Sequence, residues 1–220
     1  MKLVVVSAGL SVPSSTRLLG DRLAVAAERQ APADAPAEVQ VVELRELAVE
    51  IAHNFTNGFA GRALSAAIDA VTGADGLIVV TPVFAASYSG LFKSFFDVID
   101  PEALAGKPVL VAATGGTARH SLVLEHALRP LFAYLKAVVV PTGVYAASED
   151  WGAEGLDGRI ERAAGELVRL VTGLSLGRPV PAGASVGTAA GASAGAAGGA
   201  FEGFEVVPFE QQLAALRPAG

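Results

Sequence analysis

The sequence predicts an α/β fold, a five-stranded parallel sheet with helices on both faces. Two observations carry this. Short β-branched runs alternate with longer stretches of helical period. Most of the runs are apolar rather than alternating, as expected of strands buried on both faces.

Lys2 to Val6 is the first such run, ended by Ser7-Ala8-Gly9. A helix is expected from about Thr16 to Arg29, with Leu18, Leu19, Leu23 and Ala26 on its inner face, stopped by Ala31-Pro32. Val39 to Leu44 partly alternates, which fits a strand near the sheet edge. A polar, glycine-punctuated stretch around His53 to Gly61 leads to a helix from about Arg62 to Thr72. Gly76 to Thr81 is the third strand, which Pro82 is expected to end, and Gly90 to Ile99 is helical. Pro108 to Ala112 is the fourth strand, a helix spans about Ser121 to Leu135, and Ala137 to Val140 is the fifth strand. A last helix covers about Leu156 to Leu170. Right-handed crossovers make such a sheet doubly wound, and both the 3-2-1-4-5 and 2-1-3-4-5 orders fit the pattern.

The 220 residues divide by composition into a domain over 1–174, a Gly/Ala-rich linker over 175–200 and an apolar segment over 201–220. The last carries Phe204, Val206, Val207, Phe209, Leu213 and Leu216, and is expected to dock, the alternative being a disordered tail. Sixteen basic residues against 22 acidic ones, with no basic run, argue against a nucleic-acid partner. With no cysteine, thiolate metal sites and thiol nucleophiles are excluded, and redox chemistry must come from a bound cofactor. The opening apolar run is too short for a signal peptide, and no apolar stretch reaches the roughly 18 residues of a membrane span. A cytoplasmic protein without membrane contact is expected.

In open α/β sheets ligands bind beyond the carboxyl ends of the strands, so the loops after the first, third and fourth strands matter most. Ser7 to Arg17 carries five hydroxyl residues and opens a helix. Free N–H groups and the helix dipole favour a phosphate there, and Arg17 could add a charged contact. Plain N-capping by Ser14 or Ser15 is the simpler reading, but one hydroxyl suffices for a cap and three stand in a row. The loop matches neither Walker A nor G-x-G-x-x-G, which favours a mononucleotide over a dinucleotide. Thr81 to Gly90 offers extended apolar backbone suited to the edge of a flat ring, or an ordinary strand-to-helix loop. Ala113 to His120 pairs Gly115 with Gly116, which permits close backbone approach or a simple turn. The three histidines, His53, His120 and His126, have no metal-site spacing, and no catalytic nucleophile–base set stands out. His120 lies in the third loop and could touch a ligand bound there, or simply start a helix.

Three segments together resemble the NADPH-dependent FMN reductase family: Val6-Ser7 with Pro13-Ser14-Ser15-Thr16, Thr81-Pro82-Val83-Phe84 with Tyr88-Ser89-Gly90-Leu91 and Lys93, and Ala113-Thr114-Gly115-Gly116. Within it the chain resembles the branch that supplies reduced flavin to alkanesulfonate-type monooxygenases, and Glu125 to Leu131 extends the similarity. The resemblance, over roughly residues 2 to 172, implies the flavodoxin-like order 2-1-3-4-5 with FMN at the first/third strand switch point. It implies that Ser7, Ser14, Ser15 and Thr16 serve the phosphate, with Arg17 beside them. Pro82, Val83 and Phe84, with Thr114, Gly115 and Gly116, would line the isoalloxazine.

The implied activity is hydride transfer from NAD(P)H to FMN, with reduced flavin passed to a partner monooxygenase. No protein catalytic group is then required, since the cofactor carries the chemistry. An FMN-containing quinone or azo reductase, and a non-enzymatic flavin electron carrier, are the alternatives. The family's members are dimers or tetramers, so a homo-oligomer is expected. Leu91, Phe92, Phe95, Phe96, Val98 and Ile99 form an apolar set wider than one helical stripe, which fits either a subunit interface or burial within one chain. In the family a π-bulge is associated with Tyr at the position of His126.

Overall fold

The computed structural model describes residues 1–176; the linker and docking segment expected beyond lie outside the described residues. The sheet order is β2(Glu38–Glu43), β1(Lys2–Ser7), β3(Gly76–Phe84), β5(Pro108–Gly115), β6(Val138–Val139). All these pairings are parallel. This is the 2-1-3-4-5 order, since β4(Ser87–Tyr88) is only a short antiparallel return from β3. The sheet has seven strands rather than five because β4 is added and the fifth position is split.

Alternate residues of each central strand feed two cores. Val4 and Val6 of β1 pack under α2(Leu44–Asn57), α3(Arg62–Gly73) and α4(Gly90–Asp97). Leu3 and Val5 pack under α1(Ser15–Gln30) and α6(Leu156–Leu176). Leu19, Leu23 and Ala26 of α1 are buried as expected, whereas Leu18 is exposed. Phe92, Phe95 and Phe96 are fully buried, with Phe96 centred 4.9 Å from Phe132 of α5(Arg129–Tyr134). These phenylalanines therefore belong to the chain's own core and supply no argument for a subunit interface.

Four elements differ from expectation, each for a local reason. Helix α2 occupies ground read as the end of a strand and a loop. Its inner residues Leu44, Leu47 and Ile51 keep helical spacing, and Gly58 closes it at φ 77° with its N–H on the Asn54 carbonyl. Strand β3 runs through Pro82 to Phe84 instead of stopping. Val80 accepts a bond from Ala8 on the β1 side, and Pro82, two residues on, faces that same side beyond the last β1 pair. Its missing N–H costs no ladder bond there.

The expected helix over 121–135 is a π-helical turn, Leu124–Leu128, followed by α5. The Arg129 N–H reaches back five residues to the Leu124 carbonyl. Pro130 lacks the N–H that would meet the His126 carbonyl and its ring crowds that carbonyl, so a wider turn fits here. The π turn is thus present with His126 in place of Tyr.

The fifth position is β6 followed by β7(Val144–Ala147), separated by Pro141-Thr142-Gly143. Side chains satisfy the polar groups this break frees. Arg129 donates to the Val140 carbonyl at 2.9 Å and to that of Pro141. Glu166 accepts from the Thr142 N–H at 2.7 Å and its hydroxyl at 2.8 Å. Replacing Glu166 by Ala is expected to cost about 2 kcal/mol in denaturant unfolding, with Glu166→Gln recovering part of it.

Candidate functional site

Parallel register brings the key loops to one level. Ser7 of β1 stands opposite Val80 of β3, and Pro82 of β3 opposite Thr114 of β5. The loops that follow these strands surround a cleft of about 530 Å³, a size suited to a small-molecule or cofactor site.

Eight of the twelve residues expected to bind the cofactor line this cleft. Ser15 and Thr16 come from the start of α1, Pro82, Val83 and Phe84 from the end of β3, and Thr114, Gly115 and Gly116 from the end of β5. The other four lie elsewhere. Ser14 is the N-cap of α1 and its hydroxyl accepts the Arg17 N–H at 3.2 Å. Ser7 sits buried at the end of β1, and its hydroxyl has no hydrogen-bond partner among the described residues. Arg17 turns its guanidinium to Asp21, at 2.7 Å, and to Glu43. The bond to Asp21 holds its pKa above the ordinary arginine value despite partial desolvation. His120 lines a neighbouring pocket with Arg119 and His126.

One hydrogen bond ties two of the loops together and another closes the remaining loop on itself. The Thr16 and Thr114 hydroxyls are buried and 2.7 Å apart, tying the first loop to the third. The Thr81 hydroxyl accepts the Ser89 N–H at 3.0 Å, holding the second loop closed over its own hairpin. That hairpin turns through Ala85 and Ala86 at φ 48° and 64°, the conformation of a two-residue type I′ turn. Both are non-glycine residues in the left-handed region, so the second loop carries backbone strain at the cleft edge.

Glycine is required at two points. A Cβ on Gly9 would fall 2.0 Å from the Ser14 hydroxyl, and one on Gly115 would fall 2.1 Å from the Tyr145 hydroxyl. Tyr145 uses that hydroxyl to brace the third loop, donating to the Thr117 carbonyl at 2.7 Å.

The cleft has further walls that sequence reasoning passed over. Leu10 and Ser11 belong to the first loop, while Ser148 and Trp151 follow β7. Trp151 is the chain's single tryptophan, with the Arg22 guanidinium 5.9 Å from its ring centre. Its position depends on β7, which pairs with Ala112 to Gly115 of β5 and delivers the next turn to the same sheet end. No residue lining the cleft is charged, so an anion there would meet hydroxyls, N–H groups and the α1 dipole. Among the described residues no group of three or more His, Cys, Asp or Glu could hold a metal, and no helix could cross a membrane.

Burial holds the Tyr145 phenol above its ordinary pKa, reinforced by Glu149 and Asp150. The folded state therefore favours the neutral phenol. Its contribution is complete below the unfolded value of about 10 and is lost as pH rises through the higher folded value. Tyr145→Phe is expected to cost about 1 kcal/mol at neutral pH. Its unfolding free energy should also fall less steeply than the wild type's in alkaline titrations.

The model for NADPH-dependent FMN reductases matches residues 1–152. The FMN reductase (NADPH) of Pseudomonas aeruginosa is 41% identical over 179 residues, 79% of this chain and 94% of that protein. The NADH-dependent FMN reductase SfnF of Pseudomonas fluorescens is 40% identical over 169 residues, 74% of this chain and 88% of that one. An oxidoreductase structure from Corynebacterium diphtheriae superposes with a TM-score of 0.76 at 48% identity, covering 78% of this chain and 97% of that chain. An archaeal flavodoxin shares the fold at a TM-score of 0.54 and 14% identity, over 78% of this chain and 99% of its own. The chain belongs to the NADPH-dependent FMN reductase family.

Proposed function

We propose that this NAD(P)H-dependent FMN reductase holds FMN in the cleft above β1, β3 and β5 and delivers the reduced flavin to a separate flavin-dependent monooxygenase. The observation that carries the site is the convergence of three loops from distant parts of the chain on one cleft.

The residues present fit FMN. Ser15 and Thr16, at the open N-terminus of α1, are placed to receive the phosphate, with Ser14 and the buried, unpartnered Ser7 hydroxyl close in sequence. Arg17 contributes by tying the loop to Glu43 of β2 and stiffening the helix start. Pro82, Val83 and Phe84 offer an apolar wall, and Gly115 and Gly116 let backbone approach the ring closely. Trp151 closes the cleft from the β7 side. When bound, FMN supplies the hydride-accepting ring; the protein binds, orients and shields.

The hand-off is supported by the segment Glu125 to Pro130, which carries the resemblance to the monooxygenase-serving branch and forms the π turn with exposed Glu125 and His126. We read the enzyme as a cytoplasmic homo-oligomer, dimer or tetramer. Exposed Tyr134, beyond that same turn, is suited to an interface. A light-scattering mass equal to one chain would refute it.

Anaerobic mixing with FMN and either nicotinamide should bleach the flavin absorbance; no turnover with NADH or NADPH would sink the reductase reading. Adding an FMN-dependent alkanesulfonate monooxygenase should yield coupled product. A yellow protein with ping-pong kinetics and no coupling would instead favour a bound-flavin quinone or azo reductase. FMN titration should quench the fluorescence of Trp151, and Trp151→Ala should weaken FMN binding about tenfold, as loss of an aromatic ring contact does.

A further inference from the structure

Beside the flavin cleft lies a second pocket of about 320 Å³. Its walls are the hairpin tip, Ala86 and Ser87, the short 3-10 turn carrying Arg119 and His120, and the π turn carrying His126. The chain connects the two cavities at two places. Phe84 lines the cleft and Ala86, two residues on, lines the pocket; Gly116 lines the cleft and Arg119, three residues on, lines the pocket.

We propose that this pocket takes the phosphate-bearing half of the nicotinamide dinucleotide, with Arg119 recognising the 2′-phosphate that distinguishes NADPH from NADH. The inference rests on the reductase reading and assigns its nicotinamide selectivity.

Charge is the first argument. The chain as a whole is acidic, with a formal net charge of −6, yet three of this pocket's lining residues are Arg or His and none is acidic. The second argument is availability. The arginines nearest the two cavities, Arg17 and Arg22 by the cleft and Arg129 after the π turn, each pair with a carboxylate. Arg119 has no ion pair among the described residues and is exposed. Glu125, adjacent to His126, is taken up by Arg129 at 2.8 Å and leaves Arg119 uncompensated.

Geometry is the third. The flavin cleft has no charged wall, so it cannot tell a dinucleotide with an additional phosphate from one without it. A guanidinium three residues from the cleft wall can, because its planar fork accepts a phosphate through two parallel bonds. His120 of the same 3-10 turn and His126 of the π turn add ring N–H donors, and Ser87 adds a hydroxyl.

The test uses the full chain and two ligands that differ in one phosphate, 2′,5′-ADP and 5′-AMP. Calorimetry should show 2′,5′-ADP binding about tenfold tighter or more, and Arg119→Ala should abolish the difference. In steady-state assays with FMN, Arg119→Ala should raise KM for NADPH about tenfold, exceeding any change for NADH by about fivefold or more. Arg119→Lys should recover part of the loss. Quenching of Trp151 by FMN should match the wild type and confirms an intact fold. Equal binding of the two ligands by the wild type, or equal loss with both nicotinamides in the variant, would overturn the assignment. A wild type that oxidises neither nicotinamide would defeat the reductase reading instead, while the two-ligand comparison still judges the pocket.

Discussion

The parallel pairing of β1, β3 and β5 sets the height at which every functional loop begins. Ser7 lies opposite Val80, and Pro82 opposite Thr114, so the three chains leave the sheet within one another's reach. A one-residue slip in either ladder would move every side chain of the strand into the opposite core, where it has no matched partner. The two cores prevent it, because Val4 and Val6 on one side and Leu3 and Val5 on the other all have buried partners. Binding geometry is thus held by packing far from the cleft.

Within that frame the site is built from neutral parts, and its charges are kept at a distance. Thr16 and Thr114 bond to each other, while Thr81 and Tyr145 hold the loops from behind. The cations near the first loop are committed to carboxylates: Arg17 to Asp21 and Glu43, and Arg22 to Asp157 while its guanidinium also faces Trp151. Such pairs are partly exposed and add little to stability by themselves. Their consequence is positional, since they fix α1 against β2 and α6 and remove free positive charge from the cleft mouth. One pocket away, on the 3-10 turn, Arg119 has no ion pair among the described residues.

The irregular elements are concentrated at this end of the sheet. The Ala85–Ala86 turn, the π turn before Pro130 and the break between β6 and β7 each interrupt a regular ladder. Each is held by specific partners: the Thr81 hydroxyl on the Ser89 N–H, the Arg129 N–H on Leu124, and Glu166 with Arg129 at the break. Irregular backbone of this kind clusters where a fold presents side chains to ligands.

The sequence by itself determined the central strands, the starts of α1, α3, α4 and α6 and most of the residues that line the cleft. Those features are local: an apolar run long enough for a buried strand, a row of hydroxyls before a helix, two glycines after a strand. The resemblance added the strand order. Tertiary structure decided what depends on contacts between distant residues. Helix α2 was hidden because its three buried residues are spaced among polar ones, and only the core shows which face they serve. Pro82 looked like a strand end because its lost N–H matters only if a neighbour is there to receive it, and β1 has already stopped. Trp151 joined the cleft because β7 pairs with β5, a register no local pattern around Ser148 encodes. Arg17 and Arg119 are both basic residues close after central strands. Asp21 and Glu43 occupy the first, no carboxylate among the described residues pairs with the second, and that difference exists only once the chain is folded.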